Sequence, residues 1–150
     1  MDKYRILVKG IVQCQDHYLV VEWYDDRIFD PYQWEFIDGT IEFSETPEKA
    51  VQRVVEEKTG LSVLVDKPLY TWGFTVGEVC SVGIAFECTS QSEEVILAED
   101  LNDFKWVTKE ELSEVITNQA VLKDIEKAGL TNQFTLDDFG KVDLFIEPMD

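Results

Sequence analysis

Thiols, imidazoles and positive charge are all scarce in this sequence, and each scarcity excludes something. Cys14, Cys80 and Cys88 are too few and too unevenly placed for a disulfide framework or a CxxC metal site, so three reduced thiols in a cytoplasmic protein are expected. His17 is the sole histidine and has no Ser or Cys partner close by, so it is read as a surface residue. Only 13 Lys and Arg stand against 31 Asp and Glu, a formal charge of −18. Nucleic acid polymers and anionic membranes are held largely by Lys and Arg, so neither is an expected partner. A small anion is not excluded, because net charge says little about one pocket. No apolar run reaches the roughly 18 residues of a membrane span. Met1-Asp2-Lys3-Tyr4-Arg5 does not resemble a signal peptide.

What is present suits one folded domain over residues 1–150, with 45% apolar and 29% charged residues and no compositional break. Tyr4 to Gln13 and Tyr18 to Trp23 are rich in β-branched and aromatic residues and read as a hairpin across Gln15-Asp16-His17. A loop from Tyr24 to Gln33 leads to a short strand Trp34-Glu35-Phe36, a turn at Asp38-Gly39 and a second short strand over Thr40 to Phe43. Thr46-Pro47 is a helix start and Gly60 a helix stop. Between them Ala50, Val51, Val54 and Val55 recur at helical spacing, which predicts a face packed on a sheet. Further strands are expected at Leu61 to Val65, Leu69 to Val76, Val79 to Thr89 and Phe104 to Val107. Two helices follow, Lys109 to Ile116 and Asn118 to Ala128. The tail from Thr131 carries Phe134, Phe139, Leu144, Phe145 and Ile146 but fits neither period.

The stretch Gly39 to Leu61, GTIEFSETPEKAVQRVVEEKTGL, resembles the Nudix box, with matching residues Gly39, Glu45, Arg53, Val55, Glu57, Gly60 and Leu61. The aromatic lead Trp34-Glu35-Phe36 and the late segment Lys105-Trp106-Val107 before Glu110-Glu111-Leu112 are similar to that family's flanks. The resemblance covers residues 4 to 128 and implies an α+β fold with a mixed β-sheet sandwiched between α-helices. It also implies cleavage of a phosphoanhydride bond in a nucleoside diphosphate linked to another group. Mg2+ or Mn2+ would neutralise the diphosphate and activate a water. Relatives of this fold often form homodimers, which is the oligomer the resemblance implies.

In the family, three carboxylates of the box helix ligate divalent cations. Here those positions are Val54, Glu57 and Lys58. At about 100° per residue they share one helix face, whereas Glu56 lies one residue round from Glu57 and is expected in solvent. A single Glu is a poor site for a hard cation that wants several oxygens. The resemblance therefore leaves Glu57 as the surviving metal ligand, with the Gly39 carbonyl and a loop acid, Glu99 or Asp100, as helpers. Glu93, Glu94, Asp38 and Glu42 are further acids in range. Glu45 and Arg53 are expected to brace the loop against the helix, and Gly39 and Gly60 to serve positive φ or a C-cap. Trp34 is the candidate to stack a nucleobase, with Trp23, Tyr24, Phe29 and Tyr32 as alternatives or core. Lys58 is the candidate to contact phosphate, its ammonium standing in for part of a metal's charge. Three readings follow: a hydrolase with a weakened metal site acting on a nucleotide or related diphosphate, a catalytically silent module that binds a nucleotide or a protein, or a hydrolase of a non-nucleotide substrate, since the family the chain resembles is broad in substrate.

Overall fold

The computed structural model describes residues 3–24 and 33–130. Phe29, Tyr32 and the apolar tail beyond Leu130 lie outside the described residues. In chain order the elements are β1 Lys3–Cys14, β2 His17–Trp23, β3 Trp34–Glu35, β4 Ile37–Thr40, α1 Pro47–Thr59, β5 Val63–Val76, β6 Val79–Ser90, β7 Leu101–Thr108, α2 Leu112–Val115 and α3 Gln119–Lys127. The described strands form one mixed seven-stranded sheet in the order β3-β2-β1-β6-β5, with β4 also pairing β1 and β7 pairing β2. β1 runs parallel to β6 and antiparallel to both β2 and β4.

β1 shares its far edge between two partners, and this division creates the site. Gln13 and Cys14 pair with Tyr18 and His17 of β2, while Leu7 to Gly10 pair with Thr40 to Ile37 of β4. Period-two alternation then sends Val8 and Val12 to one face and Ile11 to the other. Val8 and Val12 pack with Ala50, Val51, Val54 and Val55 of α1, and Ile11 packs with Leu112, Ile116, Val121 and Ile125 of the last two helices. The sheet is thus covered on both faces, as the resemblance implied.

α1 starts where the Thr46 side chain accepts the Lys49 N–H at 3.3 Å and ends with Gly60, whose N–H donates to the Glu56 carbonyl at 2.8 Å. It sits close to the sheet because two strand residues carry no side chain. A Cβ at Gly10 would stand 2.7 Å from a Val55 methyl, and one at Gly39 would stand 2.8 Å from a Val54 methyl. Gly39 therefore serves close approach rather than the positive φ expected of it, since it is not among the left-handed residues.

Five local expectations are corrected. Asp38-Gly39 is not a turn but lies inside β4, because Lys9 and Val8 of β1 supply pairing partners. The expected strand over Thr40 to Phe43 shifts accordingly to Ile37–Thr40. Leu61 to Val65 and Leu69 to Val76 are one strand, β5, whose register against β6 slips at Val65/Lys67 and again at Pro68/Tyr70. Bulges absorb the extra residues, and Pro68 is tolerated because β5 is an edge strand. The helix expected over Lys109 to Ile116 shortens to Leu112–Val115, and His17 lies in β2 opposite Thr108 rather than in the turn.

Candidate functional site

A cleft of about 840 Å³ opens where β4 leaves room between β1, the exposed side of α1 and the start of α3. From β1 it takes Arg5, Leu7 and Lys9, which alternate onto one face, and from α1 it takes Arg53, Val54, Glu57 and Lys58. Trp72 and Phe74 of β5, Trp23 of β2 and Asp124 of α3 complete its aromatic and polar walls.

Arg53 is the hub of the helix end. Its Nε and Nη2 donate to the two Glu45 oxygens at 2.6 and 3.0 Å, a bidentate pairing that fixes the guanidinium plane. Nη2 also donates to the Thr40 carbonyl at 2.9 Å, and Nη1 to Glu57 Oε1 at 3.1 Å. Glu45 further accepts the Glu42 N–H at 2.9 Å, so the loop from β4 is pinned to α1 through one carboxylate. The expected bracing role of Glu45 and Arg53 is the geometry seen.

The Arg53 hydrogen bond, followed by the Glu42 N–H, holds the Glu45 carboxyl below the usual carboxylate range. A carboxyl depressed in the folded state contributes stability above its unfolded pKa, about 4.3, and loses it as pH falls through the lower folded value. Melting temperature should therefore fall between about pH 5 and pH 2, and Glu45→Gln should flatten that decline while lowering the neutral-pH value. Parallel acid slopes in both proteins would remove Glu45 from the linkage.

Val54 and Lys58 occupy their helix face differently from carboxylates. Val54 is buried, and its two methyls press on Gly39, filling the space between helix and strand. The Lys58 ammonium makes an ion pair with Asp100 and lies 5.5 Å above the Trp23 ring. Backbone bonds hold Asp100's loop there, since the Ile96 and Ala98 N–H groups donate to the Thr59 and Lys58 carbonyls at 2.9 Å each. Among the described residues no three acidic, histidine or cysteine side chains converge where an ion could sit. Val54 and Lys58 give the box helix a methyl pair and an ammonium, so Glu57 is its one carboxylate on the cleft. Asp38 and Glu42 line the cleft beside it, and Glu42 and Glu57 both face Arg53 Nη1, at 3.6 and 3.1 Å, which makes this helix face by itself a poor donor set for a hard divalent cation.

At the other end of the cleft, Lys9 Nζ is buried and donates to Glu35 Oε2 at 3.0 Å, while Glu35 Oε1 accepts the Phe36 N–H at 2.6 Å. The ammonium also lies 4.4 Å from the Trp72 ring centre and 5.8 Å from that of Tyr70. Burial pulls the Lys9 pKa down, but Glu35, then Tyr70 and Asp38, outweigh it and the net shift is upward. Burial raises the Tyr70 hydroxyl to about 12.

The structure thus brings Glu57, Lys58, Gly39 and Arg53 together on the cleft, with Glu45 behind Arg53. It does not bring Trp34, Glu99 or Asp100 into the lining. Trp34 packs against the α2 and α3 side of the core with Lys105 Nζ 4.4 Å over its ring, Glu99 is exposed, and Asp100 is committed to Lys58. Glu56 is exposed, as expected. Sequence reasoning missed Arg5, Lys9, Glu35, Trp72 and Asp124. One signal was available: Lys9 interrupts the continuous apolar run of Ile6 to Val12, and a charge at a core-strand position requires a partner.

The family model of the NUDIX domain matches residues 4–127. The nucleoside triphosphatase NudI of Escherichia fergusonii is 28% identical over 138 residues, covering 84% of this chain and 97% of its own. The NudI of an Enterobacter species is 29% identical over 140 residues, with the same coverage. Among solved structures, a MutT protein from Methanosarcina mazei Go1 superposes with a TM-score of 0.76 at 19% identity, covering 88% of this chain and 97% of that one. A NUDIX-family hydrolase from Clostridium perfringens gives a TM-score of 0.68 at 20% identity, covering 83% and 96%.

Proposed function

Because this chain belongs to the Nudix family, we propose that its cleft binds a nucleoside polyphosphate or a related diphosphate, and that phosphoanhydride cleavage there is slow. One observation carries the reading: a cleft of nucleotide size joins aromatic walls at one end to Arg53 and Lys58 at the other, on a helix face that has exchanged two carboxylates for Val54 and Lys58. The cleft is lined by Arg5, Lys9, Arg53 and Lys58 together with Glu35, Asp38, Glu42, Glu57 and Asp124, so in a chain of charge −18 its charges are nearly balanced, and the partly exposed Arg53 and Lys58 are the donors an anion would meet. Trp72, Phe74 and Trp23 give the cleft an aromatic lining for a flat heterocycle, with the Lys9 and Lys58 ammoniums lying over the Trp72 and Trp23 rings.

Divalent metals generally serve the family's chemistry, and charge stabilisation dominates phosphoryl transfer. Losing two carboxylates should then lower the rate by about a thousand-fold or more. The related NudI proteins are nucleoside triphosphatases, so nucleoside triphosphates head the candidate ligands. The three free cysteines suit a cytoplasmic setting.

A thermal-shift panel of nucleoside di- and triphosphates, nucleotide sugars and ADP-ribose, each with Mg2+ and with EDTA, tests the binding half. Stabilisation by at least one phosphate ligand is expected, and none under either condition would defeat the reading. A second reading, a competent hydrolase, is favoured by Glu57 lining the cleft with its side chain 58% exposed. It predicts rapid Mg2+- or Mn2+-dependent release of phosphate or pyrophosphate that collapses in Glu57→Gln.

A further inference from the structure

Resting on the reading that the cleft takes a phosphate ligand, we propose that Lys58 binds the ligand's diphosphate directly, without a metal ion, and that Asp100 is the internal anion the ligand displaces. The family's box helix carries carboxylates at the three positions held here by Val54, Glu57 and Lys58. The Val54 methyls pack over Gly39, and the cations at this end of the cleft are Lys58, paired with Asp100, and Arg53, paired with Glu45 and Glu57; of the two, Lys58 has the simpler pairing to exchange.

Three features fit Lys58 to exchange one anion for another. The Asp100 and Lys58 side chains are 48% and 24% exposed, so their pairing is a solvent-screened contact that a dianionic or trianionic group can outcompete. The Lys58 stem runs beside Val54, one helical turn back, and its ammonium rests above the Trp23 ring, so the cation stays on the cleft wall when Asp100 leaves. The loop carrying Asp100 is tied to α1 by the Ile96 and Ala98 N–H bonds, and the Asp100 carbonyl accepts the Tyr24 N–H at 3.3 Å. The carboxylate can therefore swing aside while the backbone stays in place.

Asp100 then sets the affinity of the cleft by competition. An ammonium also differs from a divalent ion in a measurable way. Free diphosphate carries more charge than its Mg2+ complex, so metal should not strengthen binding to Lys58 and salt should weaken it.

Isothermal titration of ADP and of inorganic pyrophosphate into the full chain, in EDTA and in Mg2+, tests this. Wild type is expected to bind in EDTA, with no gain from Mg2+. Asp100→Asn should bind about threefold to tenfold more tightly, Lys58→Met about tenfold or more weakly, and Lys58→Arg close to wild type. ADP binding with pyrophosphate silent places the nucleoside end as a required contact, and binding of both places the diphosphate as sufficient; either supports the proposal when the variants move as stated. Circular dichroism melts establish that Asp100→Asn and Lys58→Met are folded. Binding that requires Mg2+, or equal affinities in wild type, Asp100→Asn and Lys58→Met, overturns the inference while leaving the cleft's ligand class standing. No binding of either probe with or without Mg2+ overturns the inference, and the cleft's ligand class falls with it only if the wider panel of nucleoside triphosphates, nucleotide sugars and ADP-ribose is silent as well.

Discussion

Replacing Val54 and Lys58 together by glutamate should create a divalent-metal site and raise phosphoanhydride cleavage by about a thousand-fold over wild type. The two new carboxylates would stand with Glu57 on one face of α1, since residues 54, 57 and 58 are one helical turn apart. In place of the present ion pair, a carboxylate at 58 would face Asp100, and Glu57 would be adjacent. Without metal this crowding of like charge is unfavourable, and a carboxylate at the buried Val54 position is costly unless it reaches an ion or water across the open cleft. The double variant should therefore melt below wild type in EDTA and recover in Mg2+, while the wild-type melting temperature stays indifferent to Mg2+. Steady-state release of phosphate or pyrophosphate from nucleoside triphosphates supplies the second readout. A folded double variant whose melting temperature and rate both ignore Mg2+ would show that the rest of the cleft no longer supports the family's chemistry.

The parts of this fold that were legible in the sequence are those in which local chemistry and tertiary packing agree. Thr46-Pro47 and Gly60 bound α1 because a capping hydroxyl, a fixed φ and a left-handed C-cap act within a few residues. The valines of α1 announced a buried face for the same reason. Asp38-Gly39 misled because a turn dipeptide reports only local preference, whereas β1 offers a strand partner that residues 38 and 39 accept. Trp34 misled because an aromatic before the box says nothing about which face of a two-residue strand it occupies; the sheet turns it toward α2 and α3 and leaves Trp72, far along the chain, on the cleft. Asp100 was picked out as a loop acid near the box, but its partner is set by the loop's backbone bonds to Thr59 and Lys58, contacts that no short-range pattern encodes. Lys9 and Glu35 are 26 residues apart and meet because β4 pairs with β1 while β3, which carries Glu35, pairs with β2.

That meeting carries the largest expected effect on stability. Glu35→Gln should destabilise the protein by about 3 to 5 kcal/mol, because it leaves the Lys9 ammonium in the core without its counter-charge. A loss of that size is a large share of the roughly 5 to 15 kcal/mol by which a domain is stable. Lys9 is 2% exposed, so water cannot replace the lost carboxylate, and the Trp72 and Tyr70 faces offer only a partial substitute. Lys9→Met with Glu35→Gln should recover most of the loss, since removing both charges also removes the cost of desolvating them. The pH dependence distinguishes this from a general packing defect. In wild type the folded Lys9 pKa is raised, so its contribution is fully present below the unfolded value of about 10.4 and is lost only as pH rises through the higher folded value. In Glu35→Gln, burial is opposed only by the more distant groups and the folded pKa should drop below the unfolded one. The native state then binds fewer protons than the unfolded state, and stability rises with pH. The deficit measured by urea unfolding should accordingly shrink between about pH 7 and pH 10 in Glu35→Gln and stay constant in the double variant. A single variant within about 0.5 kcal/mol of wild type, or a deficit that does not change with pH, would mean that the buried ammonium is held by groups other than Glu35.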